Sequence, residues 1–299
     1  MRIAFYQDLE VFSGLGGAQA TDRLILHEGI RRGHEITQVL PETYQKCDAA
    51  MSILSNCTRF TSEQLADACK RPYIVFLHDY WPLCKYRLFY AMLPKCSNCP
   101  NKPYAEKLLI GSKLIVWMSP LHRTAWLNSI PNLADHSYAL VSSAINPVDY
   151  RPKERVDMKH NTVVGVNVLL EFKGKTSVLK YSQEHPELSF TFCGGLEGEV
   201  ILPQNCKFIG PKNRQELVQL YAESEYLIHL PSQPSPADRV PVEFLIANPN
   251  GKLVTNRNVG ILSYPNVIQD GKVNREELIR LVSTAPQTFW KEVEKSASL

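Results

Sequence analysis

No apolar run in this chain approaches the ~20 residues that a membrane-spanning helix needs, so no transmembrane segment is expected. No secretory leader is expected either. Met1-Arg2 leads straight into the strand-like Ile3-Ala4-Phe5-Tyr6, without a long apolar region and a small-residue cleavage site. The expectation is a cytoplasmic protein with its eight cysteines mostly reduced, and the Asn56-Cys57-Thr58 glycosylation sequon is discounted accordingly. Charge imbalance is slight. Lys and Arg total 33 against 30 Asp and Glu, and a formal +3 implies no nucleic acid, although it suits an anionic small ligand. There is no short internal repeat and no low-complexity tract. A second Cys-x-x-Cys pair is absent as well. Cys84, Cys96 and Cys99 supply three of four zinc ligands, with Cys57, Cys69 or a histidine as the fourth. Reduced, structurally buried thiols are favoured over zinc.

What is present reads as a globular α/β protein. At 299 residues the chain exceeds the size at which one hydrophobic core stops growing, which points to two domains. Strand-like runs fall at 2–8, 35–41, 50–55, 73–79, 113–119 and 137–143. A second series follows at 162–168, 188–193, 206–210, 226–230 and 252–255. Helical patterns lie between them at 18–32, 62–70, 120–128, 175–185, 214–224 and 240–247, with a terminal helix from residue 274 onward. Alternation of this kind builds parallel sheets covered by helices. The charged stretch 147–159, with Pro152, reads as the linker. The expected division is an N-terminal Rossmann-like domain at 1–155, a second Rossmann-like domain at 156–272, and a C-terminal helix at 273–299. That helix, around Phe289-Trp290, is expected to pack back on the first domain.

Four places carry chemistry. The strand at 226–230 runs into a Pro/Ser loop and then a helix bearing Glu243. An acid there faces the crevice where open parallel sheets bind ligands, and the helix N-terminus favours phosphate. The alternative is a surface-helix glutamate. The loop Ser13-Gly14-Leu15-Gly16-Gly17 precedes the first helix, where glycines allow close backbone approach to an anion; the alternative is a tight turn. His78-Asp79 sits at a strand's carboxyl end, suited to hydrogen-bonding a hydroxyl, the alternative for His78 being a half-buried structural histidine. Asp79 is read as a local cap. Lys173-Gly174 ends a loop after the strand at 162–168, and its alternative is a solvated lysine at a helix start. Trp81, Tyr86, Phe89 and Tyr90 are read as packing, with a sugar-stacking floor as the secondary reading.

These features together resemble the GT-B glycosyltransferases, especially the retaining enzymes of glycosyltransferase family 4. Their pattern is Pro-Ser, then a glutamate, seven residues, and a second glutamate. Pro231-Ser232 and Glu243 match, whereas Ser235 stands at the first acid's place. Arg31-Arg32-Gly33-His34-Glu35 reproduces the family's text after its glycine pair, which implies that Gly16 and Gly17 line the cleft. His78 matches a histidine that contacts the donor sugar. The segment Lys207 to Pro211, with the helix after it, resembles the stretch whose backbone, around Gly210, receives the nucleotide base. Lys173 matches the lysine that neutralises the donor diphosphate, but the family's arginine is replaced by Val166-Asn167, leaving Lys175 or Arg239 as substitutes. Glu243 would hold the ribose, Asp238 is near enough to supply the charge that Ser235 lacks, and Asn256, Asn258 and Gly260 would complete the cleft wall.

The implied fold is GT-B, two Rossmann-like doubly wound domains with a cleft between them. The implied activity is transfer of a hexose, with retention, from a nucleoside diphosphate sugar to a glycan, lipid or protein acceptor. His78 and Lys173 would be the catalytic residues, and neither a cofactor nor a catalytic metal is implied. The main rival is a non-catalytic nucleotide-sugar or glycan-binding homologue, on the evidence of Ser235 and the absent arginine. A sugar-nucleotide epimerase is the weaker one.

Overall fold

The computed structural model describes residues 1–11, 16–84 and 100–298. The expectations for Ser13, Gly14, Leu15, Tyr86, Phe89, Tyr90, Cys96 and Cys99 lie outside these residues. The chain forms two compact units, one of residues 1–145 with 282–299 and one of residues 146–281.

The first unit runs β1 (Arg2–Tyr6), α1 (Gly17–Arg31), β2 (Glu35–Val39), β3 (Met51–Ser55), α2 (Ser62–Ala68), β4 (Tyr73–Leu77), α3 (Lys102–Ile110), β5 (Leu114–Trp117), α4 (Pro120–Ser129) and β6 (Tyr138–Leu140). Its six strands are parallel in the order β2-β1-β3-β4-β5-β6. β3 and β4 are buried along their whole length. A parallel sheet covered on both faces requires this, and it is why MSILS and YIVFL read as continuous runs instead of alternating ones. Helix α3 was not anticipated. Its signal is short, a proline in the first turn and a buried stripe of Ala105, Leu108 and Leu109.

The second unit runs β7 (Lys159–Val166), α5 (Lys175–Glu184), β8 (Ser189–Cys193), β9 (Cys206–Phe208), α6 (Arg214–Glu223), β10 (Ser224–His229), α7 (Val240–Ala247) and β11 (Lys252–Thr255). Its sheet is again parallel, in the order β11-β10-β7-β8-β9. Val163, Phe190, Phe192 and Ile228 are buried at its centre. A short antiparallel pair, β12 (Ile268–Gln269) and β13 (Lys272–Val273), follows.

The expected single terminal helix is instead two, α8 (Arg275–Ser283) and α9 (Ala285–Ala297). Pro286 explains the break, because a proline inside a continuous helix clashes with the carbonyl four residues back and removes a hydrogen bond. Helix α9 packs on α1. The Trp290 indole N–H donates to the Ile25 carbonyl at 2.7 Å, and Glu294 receives Arg32 at 2.8 Å and His34 at 3.0 Å. Glu28 collects both Arg31 and Arg32. The Arg31 hydrogen bond is the largest influence holding its carboxyl down at about 2, against the opposing effect of burial. The Arg-Arg-Gly-His text therefore does structural work at this helix pair.

Gly29 lets the tryptophan in. A Cβ there would lie 2.3 Å from the Trp290 ring and 2.6 Å from Ile36. Gly29→Ala is expected to lower stability by about 1–3 kcal/mol through overpacking, measured as a drop in the urea unfolding midpoint. A midpoint equal to wild type would show that the α1–α9 contact yields freely. No helix among the described residues is long and apolar enough to cross a membrane.

Candidate functional site

In the second unit's sheet, β8 and β9 lie on one side of β7, while β10 and β11 lie on the other. The strand order thus reverses between β7 and β10. Open α/β sheets bind ligands outside the carboxyl ends of their strands at such a switch point, because the loops there diverge and leave a crevice. The two loops that leave this point are 167–174 and 230–239. Between them they carry Lys173, Ser235, Asp238 and Arg239, and the second leads into Glu243.

Lys173 ends a 3-10 turn (Glu171–Lys173), and Gly174 follows at φ 93°. Glycine is required here twice over. The left-handed backbone disfavours any Cβ, and one would stand 1.8 Å from the Leu230 carbonyl oxygen. The turn is held to the other loop by Ser232, whose N–H donates to the Phe172 carbonyl at 3.3 Å and whose hydroxyl donates to the Glu171 carbonyl at 3.0 Å. Asn256 and Asn258 donate their side-chain amides to the Pro231 carbonyl at 3.0 and 2.9 Å. These two asparagines brace the Pro/Ser loop from behind.

Ser235 is buried, and its backbone N–H donates to the Asn258 carbonyl at 2.8 Å within a bridge to Val259. Packing is close: a Cβ on Gly260 would lie 2.1 Å from the Ser235 carbonyl oxygen. Asp238 is 1% exposed in its side chain, with Oδ1 2.8 Å from His229 Nε2 and 3.4 Å from Lys173 Nζ. His229 Nε2 is thus in close contact with the acid, while His229 Nδ1 and Asp238 Oδ2 lack a hydrogen-bond partner among the described residues. Burial acting alone would raise the Asp238 carboxyl. His229, Lys173 and the Ser235 hydroxyl outweigh it and hold the group well below the usual carboxylate range.

Glu243 lies in the first turn of α7 and is buried. Its Oε1 accepts from Arg239 Nε at 3.1 Å, and Arg239 Nη2 also donates to the Tyr150 hydroxyl at 3.4 Å. Burial, and then the Glu243 charge, push the Tyr150 hydroxyl above its ordinary range. Lys175 is occupied by Glu171 Oε1 at 2.5 Å and the Glu197 carbonyl at 3.0 Å. Asn167, at the place of the absent arginine, has φ 57° and accepts the Gly195 N–H at 2.8 Å. The Gly210 carbonyl accepts from Gly194. The sequence reading missed His229 and Tyr150. The signal for His229 was a single ring in the otherwise apolar end of β10, whereas Tyr150 was assigned to the linker.

In the first unit the His78 side chain is 4% exposed, with Nε2 2.7 Å from Asp22 Oδ1, while Asp22 Oδ2 accepts the Ser55 hydroxyl at 2.9 Å. Asp22, on α1, was not singled out from the sequence. Asp79 caps locally, accepting the Trp81 N–H at 2.9 Å. Gly16 is the N-cap of α1 in extended conformation, and Gly17 is its first residue. Cys84 packs against the core of this unit. No group of three His, Cys, Asp or Glu side chains among the described residues is arranged to hold a metal ion.

No family model and no curated protein matches the chain by sequence. Solved structures match along its whole length. HepE of Anabaena, in complex with UDP and glucose, superposes with a TM-score of 0.63 at 12% identity, covering 100% of both chains. AviGT4, a glycosyltransferase involved in avilamycin A biosynthesis, gives 0.58 at 11% identity, covering 100% of this chain and 98% of that one. An alpha-glucosyltransferase in complex with UDP and a 13-mer DNA gives 0.56 at 13%, covering 100% and 94%. With its two parallel sheets of six and five strands, the chain has the GT-B fold of these glycosyltransferases.

Proposed function

We propose that this protein transfers a hexosyl group, with retention, from a nucleoside diphosphate sugar to a glycan, lipid or protein acceptor. The observation that carries the reading is the β7/β10 switch point, whose two outgoing loops carry the Lys173–Asp238 pair and lead into the buried Arg239–Glu243 pair. Structural neighbours were solved with UDP or UDP-glucose, and the same donor class suits these side chains.

In this reading residues 146–281 take the donor. The Lys173 ammonium meets the diphosphate and stabilises the charge that grows on it as the glycosidic bond breaks. Glu243, its Oε1 paired with Arg239, accepts the ribose hydroxyls. In the first unit His78 would orient the sugar, its ring fixed by Asp22. Ser235 favours a second reading, a nucleotide-sugar binder without turnover, since a serine supplies no charge to the transition state. Slow hydrolysis of donor to free sugar separates the two, because a pure binder releases none.

Nucleoside diphosphates are expected to stabilise the fold. A ligand of the native state at 100 times its dissociation constant adds about 2.7 kcal/mol, read as a rise in melting temperature. A panel of UDP, GDP, ADP and dTDP that leaves the melting temperature unmoved would sink the donor-site assignment.

A further inference from the structure

We infer that Asp238 is a positioning residue for Lys173, and that the buried His229–Asp238 pair sets the ammonium where a donor diphosphate is read. The inference rests on the donor-site reading of residues 146–281 above.

Lys173 is a flexible side chain, 28% exposed, on a short 3-10 turn. Secondary structure alone leaves its ammonium free to wander in solvent. Asp238 holds it from 65 residues away along the chain, across the switch point. Asp238 itself has little freedom. Its side chain is 1% exposed and stands against His229 at 2.8 Å, and the loop carrying it is fixed at Ser235 through Asn258 and Val259.

Asp238 Oδ2 and His229 Nδ1 lack hydrogen-bond partners among the described residues. Buried polar atoms left so are costly, and an apolar pair of similar volume would serve stability better. What the arrangement does provide is a rigid anion behind a surface-reaching cation. A group held in place before the ligand arrives binds without having to be ordered on contact.

The sign of one substitution separates this role from simple charge. Asp238 is negative, so by Coulomb's law alone its removal would tighten an anionic ligand near Lys173. Positioning gives the opposite result. The experiment is calorimetric titration of the full chain with UDP, GDP, ADP and dTDP, for wild type, Asp238→Asn, Lys173→Met and the double variant.

For the diphosphate that wild type binds best, each single variant is expected to weaken binding about tenfold, the loss of one charge-assisted hydrogen bond. The double variant should be no weaker than Lys173→Met, because both changes remove one interaction. Unchanged or tighter binding by Asp238→Asn, or losses that multiply, would overturn the inference and leave the donor site standing. Wild type that binds none of the four diphosphates would overturn the donor-site reading and this inference with it. Should Asp238→Asn fail to fold, His229→Gln decides. It keeps the acid and removes its brace, and it too must weaken binding and show no added loss over Lys173→Met.

Discussion

Replacing Ser235 with glutamate, the acid that the resembled glycosyltransferase pattern has at this place, is expected to unfold the 230–239 loop and not to raise activity. The Ser235 hydroxyl acts on the Asp238 carboxylate, so a longer acid at 235 brings a second negative charge to a side chain that is 1% exposed. Two carboxylates in a buried space cannot both ionise without a large penalty. Room is lacking as well, since Ser235 is tied to Asn258 and Val259 and its carbonyl is crowded by Gly260. The combined loss should reach roughly 4 kcal/mol, at the extreme end for single substitutions. Urea unfolding measures it, with diphosphate affinity measured alongside. A stable Ser235→Glu protein with faster donor turnover would mean that the loop has kept its place for the missing acid. Ser235→Ala is the control, because it removes the hydroxyl without adding charge.

Glu243→Ala is expected to cost about 3–5 kcal/mol, the range for breaking one side of a buried ion pair. The pair is well enclosed, with the Arg239 and Glu243 side chains 12% and 9% exposed. Truncation removes the carboxylate from beside a guanidinium that is largely buried. Because replacing both partners of a buried pair by apolar residues costs less than removing one, the double change Arg239→Met with Glu243→Leu should recover part of the loss. Single and double variants both as stable as wild type would show that the pair is worth little to the fold. Glu243→Gln keeps the shape and a hydrogen-bonding oxygen. If Glu243 also holds ribose, that variant should lose about 1.5–3 kcal/mol of donor affinity, the worth of a hydrogen bond to a charged group. Undiminished affinity in folded Glu243→Gln would confine the residue to structural work.

The eleven strands of the two main sheets were legible in the sequence, most with ends trimmed by a few residues, whereas β7 and β10 begin earlier than expected, at Lys159 and Ser224. Buried parallel strands announce themselves as short apolar runs between helical patterns, and 73–77 and 226–230 are examples. Helix α7 was read with its observed bounds, between a Pro/Ser loop and a short strand. The terminal segment was misread as one helix although Pro286 was visible, because the apolar stripe continues through it. Helix α3, nine residues long, offers too short an apolar stripe to be told from the pattern alone.

Side-chain partnerships followed a different rule. Local ones were predictable, such as Asp79 capping Trp81, since the chain itself brings them together. Those that define the candidate site join residues far apart along the chain: Lys173 with Asp238, Arg239 with Tyr150, Asp22 with His78. The sequence by itself determined that this chain builds parallel sheets with Lys173 and Glu243 beside strand ends, because local hydrophobic period and turn chemistry fix each element independently. Only the tertiary structure decided that β10 lies next to β7, that Asp238 is thereby buried between His229 and Lys173, and that Ser235 faces a carboxylate already in place. Strand order is settled by how whole elements pack, and the charge around a buried group depends on neighbours that packing alone delivers.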